Sequence, residues 1–295
     1  MDNSPPTPQP PTDVALPSRT VPATRPEDDE LAWVPADVDP HQPSVARVYD
    51  YLLGGGHNFA ADRALAERIT AVQPNVQQIA QQNRAFLRRA VLFMLDAGIR
   101  QFLDLGSGIP TVGNVHEIAQ RTAPGTRVVY VDYEPVAVAH SRLLLADNPD
   151  AAILGADITR PDDVLDAPVT RRLLDFDQPI GLLAITIGHY IPDTADPVGI
   201  FARYRDALAP GSYLALSHLT DDFTAVNGDQ IVDTMKSTRD NVFPRSRAQV
   251  MELFTGFDLV DPGLVTTSGW RPDHRVQAVH DAGQDGLYVG AGRRR

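Results

Sequence analysis

Three aspartates stand where short apolar runs end, and their carboxylates could bind one ligand together. They are Asp104, Asp132 and Asp157, and each run has the length of a buried strand. In an open parallel sheet, ligands bind beyond the carboxyl ends of the strands, so we expect the three carboxylates to meet there. Their charge favours a ligand with cationic groups, such as an ammonium and a sulfonium on one small cofactor.

A glycine turn directly follows the first of these aspartates. Gly106 and Gly108 flank Ser107, and glycines permit a tight turn and the close approach of backbone to a ligand. A dinucleotide-binding fingerprint would need glycine at position 111, where Thr111 stands. Asp104 would also repel a pyrophosphate. The turn therefore favours an adenosyl cofactor over a nicotinamide dinucleotide.

The other two strand ends fit the remaining parts of an adenosyl group. Asp132 can accept hydrogen bonds from both ribose hydroxyls, and Tyr133 can stack on the adenine ring. Asp157 can receive the exocyclic amino group, while Ile158 packs on the base. These four residues, with Asp104 and the glycine turn, make up the predicted cofactor site.

A parallel sheet must position these residues, and the chain has the corresponding pattern. Short apolar runs alternate with helical stretches after Gly98, which predicts βαβ units covered by helices on both faces. The predicted strands are 101–105, 127–131, 151–155, 180–186, 213–217, 257–260 and 287–289. The predicted helices between them are 111–122, 135–147, 162–174, 196–208, 222–235 and 246–254.

The segment before the sheet has a helical rhythm. Apolar residues recur at intervals of three and four over 76–95, and shorter helices are predicted over 45–53 and 59–69. A triple glycine at 54–56 interrupts this segment, and Gly98 stands where a helix-terminating glycine belongs. We therefore expect a helical cap over residues 41–98.

Composition limits the protein class. The chain has 295 residues, 43% of them hydrophobic, no cysteine and a net charge of −12. The absence of cysteine excludes disulfides and thiolate sites, and the acidity disfavours general nucleic-acid binding. No apolar run could span a bilayer and no signal peptide is visible, so a soluble, cytoplasmic protein without membrane contact is expected. Ten of the 25 prolines fall in residues 1–40, which predicts a disordered acidic tail.

Other histidines and serines do not form a recognisable reaction centre. His116, His140 and His218 lack metal-ligand spacing, so no metal is predicted. Ser107 is not a hydrolase nucleophile elbow, because that motif needs glycine at position 105, where leucine stands.

The motif Asp104–Gly108 resembles the first motif of class I S-adenosylmethionine-dependent methyltransferases, although Ile109 and Pro110 replace its usual continuation. The wider pattern resembles a bacterial S-adenosyl methyltransferase family long catalogued as a domain of unknown function. The matching stretches are 46–55, 58–63, 83–89, 102–111, 113–116 and 189–193.

This resemblance implies an α/β, Rossmann-like methyltransferase fold with S-adenosylmethionine as cofactor. It implies a mostly parallel seven-stranded sheet of order 3-2-1-4-5-7-6, with the last strand antiparallel and helices on both faces. The expected domains are a tail (1–40), a helical cap (41–98) and the cofactor-binding domain (99–295). We expect methyl transfer to oxygen or nitrogen of a small molecule. The alternatives are a non-catalytic protein that binds the cofactor or its demethylated product, and a nicotinamide-dependent oxidoreductase.

Residues outside the cofactor motifs are candidates for the acceptor side. His189 follows the fourth predicted strand and could act as general base, or could simply hydrogen-bond to backbone. Near the triple glycine, a second group could form a lid over the cofactor, or a helix terminus with its capping turn. This second group comprises the helix end Tyr49-Asp50-Tyr51, the triple glycine, His57, Asn58 and Arg84.

Overall fold

The computed structural model describes residues 35, 38–111, 113–223, 228–236, 238, 240–272 and 286–295. All of them belong to one compact unit, Pro35–Arg295. Of the predicted tail, residues 1–40, the structure describes only residues 35 and 38–40. None of the helices in the described ranges is long and apolar enough to cross a membrane.

Three helices precede the sheet, as the sequence pattern predicts. They are α1 (Val45–Leu52), α2 (Ala60–Val72) and α3 (Val76–Asp96). The third ends at Asp96 and is followed by Gly98, whose φ of +94° explains why glycine stands there. We call these three helices the cap.

The sheet and its covering helices follow in alternation. The strands are β1 (Gln101–Leu105), β2 (Arg127–Asp132), β3 (Ala151–Gly155), β4 (Gly181–Ile185), β5 (Tyr213–Leu219), β6 (Phe257–Leu259), β7 (Val265–Thr266) and β8 (Leu287–Arg294). The helices are α4 (Val115–Thr122), α5 (Pro135–Leu144), α6 (Pro161–Leu165), α7 (Pro168–Leu173), α8 (Pro197–Ala207), α9 (Gly228–Met235) and α10 (Arg247–Glu252).

The strand order is β3-β2-β1-β4-β5-β8-β6, and β7 pairs with β8. Strands β1 to β5 are parallel, whereas β8 lies antiparallel between β5 and β6. This arrangement confirms the predicted fold and the predicted order, with β8 in the place of the seventh strand. The two-residue strand β7 is the addition that the sequence pattern did not predict.

Helix α3 connects the cap to the sheet because its two halves pack on different cores. Its C-terminal half buries Phe86, Leu87 and Met94 against β1 and neighbouring strands. Its N-terminal half contributes Ala80 to a separate core with α1, α2 and α9. One rigid helix therefore fixes the cap at the carboxyl ends of the strands.

Two predicted helices differ in their bounds, for local reasons. The helix predicted over 162–174 is two helices, because Pro168 pushes Ala167 out of the helical region to a ψ of 135°. The helix predicted from Thr111 begins at Val115. Asn114 caps it and forms a reciprocal capping box with Glu117.

Candidate functional site

The parallel register brings the predicted aspartates to one edge of the sheet. Leu105 pairs with Val131, and Asp132 pairs with Gly155, so β1, β2 and β3 end at nearly the same level. The turn after β1 stays attached to β2, because Gly106 N–H donates to Val131 O at 2.8 Å. The site therefore rests on hydrogen-bonded sheet ends.

Asp104 is a buried carboxyl with a strongly perturbed acidity. Only 6% of the residue is exposed. The pKa of Asp104 is raised to about 7, mainly by burial, while the Arg84 charge lowers it and the Asp132 charge raises it. A cationic ligand group beside this carboxyl would favour its ionised form.

Asp132 is held in place by backbone donors. Its Oδ2 accepts from Gly108 N–H at 2.7 Å, and its Oδ1 accepts from Glu134 N–H at 2.9 Å. Burial raises the pKa of Asp132, while these backbone hydrogen bonds lower it. Asp132 also lines the adjoining cavity.

Two glycines in the turn serve different purposes. Both have positive φ, +67° for Gly106 and +68° for Gly108. A Cβ on Gly106 would lie 2.3 Å from the Ile187 side chain, so that glycine is needed for packing. A Cβ on Gly108 would meet nothing within 4 Å. Between them, the Ser107 hydroxyl is buried and has no hydrogen-bond partner among the described residues.

A cavity of about 250 Å³ opens at these strand ends, and we call it the strand-end cavity. Its wall combines the sheet edge with residues of the cap and of the segment before it. From the sheet edge come Asp104, Gly106, Ser107, Gly108, Asp132 and Tyr133, and from the other side come Val38, Asp39, Tyr49, Asp50, Leu53 and Arg84. The cap therefore covers the end of the sheet, as the sequence predicts.

Asp50 presents a buried, unpaired oxygen at this cavity. Its Oδ2 accepts from His57 N–H at 2.9 Å and from Asn58 Nδ2 at 2.8 Å. Its Oδ1 has no hydrogen-bond partner among the described residues, and the residue is 1% exposed. A buried carboxylate oxygen of this kind calls for a donor, so a ligand ammonium fits here.

Arg47 joins the cap to the sheet domain through buried ion pairs. Its Nε lies 2.8 Å from Asp62 Oδ2, and its Nη1 lies 2.7 Å from Glu134 Oε1. Glu134 also caps α5, because its Oε2 accepts from Ala137 N–H at 2.8 Å. Among the described residues lining the strand-end cavity, Arg47 and Arg84 are the cationic ones. Arg47 is engaged by two acids, whereas the Nη2 of Arg84 donates to Gly113 O at 3.0 Å.

The adenine side of the predicted site is more open. Tyr133 is 37% exposed, and its hydroxyl donates to Asp240, which also lines the strand-end cavity. Asp157 is exposed and accepts from the backbone and hydroxyl of Thr159. Ile158 is buried in the sheet core. Neither Asp157 nor Ile158 is part of the cavity wall, so their contacts with a base stay predictions.

The remaining predicted lid residues lie behind the cavity. Tyr51 packs on the core of the cap. The Asn58 amide donates to Asp50 Oδ2 and to Gly55 O. The centroid of the His57 ring lies 3.9 Å from the centroid of the His140 ring on α5. These three residues position the wall around Asp50.

His189 lies 4% exposed behind Tyr190 and does not line the strand-end cavity. Burial lowers the pKa of His189 well below its usual value, and the charges of His218 and Arg245 lower it further. Its Nδ1 accepts from Leu219 N–H at 3.3 Å, which assigns the proton of the neutral ring to Nε2. This tautomer makes Nε2 a donor, and the general-base role stays a prediction.

Two residues that line the strand-end cavity, Glu134 and Thr186, have no predicted role, whereas Asp50 is predicted only as a member of the lid group. Thr186 has a positive φ of 52°, a strained conformation at the end of β4. Asn83 offered a signal, because it is a polar residue at an apolar position of the α3 periodicity.

The fold and the acidic strand ends define a Rossmann-like methyltransferase, and comparisons with known proteins agree. A family described as S-adenosyl methyltransferase matches residues 31–295. The chain belongs to this family. Its family uses S-adenosylmethionine, as the sequence motifs predicted. The family match does not support a nicotinamide-dependent oxidoreductase.

Two solved structures are similar over nearly their whole length. A candidate methyltransferase from Thermobifida fusca YX is 40% identical, with a TM-score of 0.83, covering 90% of this chain and 99% of that chain. A DUF574 family protein from Streptomyces avermitilis MA-4680 is 36% identical, with a TM-score of 0.84, covering 87% and 99%. A comparison with curated proteins finds no match.

The side chains of the strand-end cavity fit S-adenosylmethionine. This cofactor carries an ammonium, a sulfonium and one carboxylate. Asp50 offers an unpaired buried oxygen, Asp104 a carboxyl whose ionisation a cation would favour, and Arg84 a positive charge. The charged side chains of the cavity therefore complement the charges of the cofactor.

Proposed function

We propose that this chain transfers a methyl group from S-adenosylmethionine to an oxygen or nitrogen atom of a small molecule, an activity of class EC 2.1.1. The observation that carries the proposal is the cap over the sheet end. It leaves a cavity of about 250 Å³ there, walled on one side by Tyr49, Asp50 and Leu53. A site covered by the cap suits a small acceptor better than a polymer.

Residues of the strand-end cavity would hold the cofactor by complementary charge. Asp132 would accept the ribose hydroxyls, and Tyr133 would stack on adenine. Asp157 and Ile158 would contact the far side of the base. The ammonium would lie near Asp50 and Asp104, while Arg84 would pair with the carboxylate.

When bound, the cofactor would supply an electrophilic methyl group on a sulfonium, which would leave as a neutral thioether once an acceptor lone pair takes the methyl group, and the acceptor proton would be released to bulk solvent. The chain itself contributes orientation and exclusion of water. Tyr49 and Leu53 cover the sheet end, and the buried Arg47 pairs keep this cover in place.

The test combines binding with transfer. Calorimetry with the full chain should show that S-adenosylmethionine binds. In thermal-shift measurements S-adenosylmethionine should raise the melting temperature, whereas NAD and NADP should leave it unchanged. Incubation with cofactor carrying an isotopically labelled methyl group and a bacterial extract should place the label in the small-molecule fraction. Asp132→Ala serves as the control with weakened cofactor binding.

Two results would contradict the proposal. Label in protein or nucleic acid would refute the small-molecule acceptor. Tight cofactor binding without transfer to any fraction would favour the non-catalytic alternative, a binding protein for the cofactor or its demethylated product.

A further inference from the structure

A second cavity of about 120 Å³ lies under the cap, and we call it the cap cavity. Its wall is largely aliphatic, including Leu52, Ile69 and Ile231, from α1, α2 and α9. Among its described lining residues there is no Asp, Glu, Lys or Arg. An engineered apolar cavity of about 150 Å³ binds benzene, so the cap cavity has room for about one six-membered ring.

The cap cavity and the strand-end cavity share a wall. Val45, Tyr49, Thr186 and Tyr190 line both of them. A molecule in the cap cavity would therefore be separated from a ligand at the strand ends by single side chains. Methyl transfer needs the reacting atoms about 3–3.5 Å apart, so these shared side chains must open a passage between the two ligands.

One side-chain oxygen on the wall of the cap cavity has no hydrogen-bond partner among the described residues. Asn83 Nδ2 donates to Tyr49 Oη at 3.0 Å and to Thr186 Oγ1 at 3.3 Å. Those hydroxyls donate in turn to Ala80 O and Ile185 O, which fixes the orientation of the amide. Asn83 Oδ1 then has no hydrogen-bond partner among the described residues, although Asn83 is 1% exposed and lines the cap cavity.

We propose that the cap cavity binds the methyl acceptor, and that this acceptor is an uncharged molecule with one apolar or aromatic ring and a hydroxyl or amine hydrogen. Asn83 Oδ1 accepts that hydrogen, which orients the acceptor atom toward the shared wall. The aliphatic wall disfavours charged acceptors, because it offers them no compensating charge. The inference rests on the proposed function and adds the acceptor class to it.

The test uses phenol as the probe and the full chain saturated with S-adenosylhomocysteine. Ligand-observed NMR should show that phenol binds, and that benzoate binds at least tenfold more weakly. Ile79→Trp, which fills the cap cavity, should raise the Kd of phenol at least tenfold and change the Kd of S-adenosylhomocysteine less than twofold. The matched control is Leu92→Trp, a half-buried position on the same helix that lines neither cavity. It should change neither Kd.

A second comparison tests Asn83 itself. Phenol should bind at least threefold more tightly than anisole, which has no donor hydrogen, and Asn83→Leu should abolish this preference. If Ile79→Trp does not fold, Ala80→Leu fills the same cavity.

Equal binding of phenol and benzoate, or phenol binding that both cavity-filling variants leave unchanged, would overturn the inference while the proposed function stands. A failure of S-adenosylhomocysteine to bind would instead overturn the proposed function, and the inference with it.

Discussion

The guanidinium of Arg47 lies 2.7 Å from the carboxylate of Glu134, and both side chains are buried. One residue belongs to the cap and the other caps α5 in the sheet domain. Asp62 on α2 takes the Nε of the same arginine at 2.8 Å. A buried ion pair, which solvent does not screen, therefore connects the cap to the sheet domain.

Removing Arg47 should destabilise the protein strongly. Arg47→Met leaves Asp62 and Glu134 as buried, uncompensated acids, which costs about 3–5 kcal/mol of the free energy of unfolding. The control is Arg171→Met, which breaks an exposed pair with Asp166. That change should cost less than about 1 kcal/mol. Urea denaturation measures the free energy of unfolding of both variants. Equal losses would show that the buried pairs stabilise the protein no more than the exposed pair does.

Asp132→Ala should weaken S-adenosylmethionine binding at least tenfold. Hydrogen bonds to charged groups contribute about 1.5–3 kcal/mol, and about 1.4 kcal/mol is tenfold in affinity. Asp157→Asn should cause a smaller loss, about threefold at most, because Asp157 is exposed and outside the strand-end cavity. Calorimetry measures both. An unchanged affinity in folded Asp132→Ala would refute the ribose contact.

Cofactor affinity should fall as the pH drops below 7. Asp104, with a pKa of about 7 in the ligand-free protein, takes up a proton there and can no longer pair with a cation. If the bound cofactor keeps Asp104 ionised, the Kd should rise roughly fivefold from pH 7 to pH 6. Calorimetry in buffers of different ionisation enthalpy should also detect proton release on binding. Asp104→Asn should flatten the pH dependence, and an equally steep profile in that variant would assign it to another group.

Two N-terminal deletions should differ in their effect. Deleting residues 1–34 should leave the cofactor Kd within twofold, because that segment is rich in proline and acid and has no apolar periodicity. Deleting residues 1–40 also removes Val38 and Asp39 from the strand-end cavity. Loss of a contact worth about 0.5–1.5 kcal/mol weakens binding more than twofold. Identical Kd values for the two forms would show that these wall residues do not touch the cofactor.

The sheet could be predicted from the sequence because buried parallel strands are short, continuous apolar runs. Strands β1 and β3 have the predicted bounds. The split of 162–174 was also visible in principle, because Pro168 disfavours a helical residue before it. Strand β7 was missed because two residues carry no periodicity.

The positions of the strand-end aspartates could be predicted from the sequence, whereas the contact between Asn83 and Thr186 could not. Asp104 and Asp132 occupy strand ends, whose position follows from the sheet itself. Asn83 and Thr186 meet at 3.3 Å only because α3 packs across the end of β4. Such a contact depends on tertiary packing between distant segments, which local sequence patterns do not specify.

Asp132 and Glu134, two residues apart at the end of β2, connect the predicted cofactor contact to the cap. Glu134 N–H donates to Asp132 Oδ1, while the Glu134 side chain pairs with Arg47. If the cofactor binds at Asp132, any free energy that links this binding to cap docking must act in both directions. Loading the cofactor should therefore slow amide hydrogen exchange in α1 and α2, and a cap loosened by Arg47→Met should release the cofactor faster.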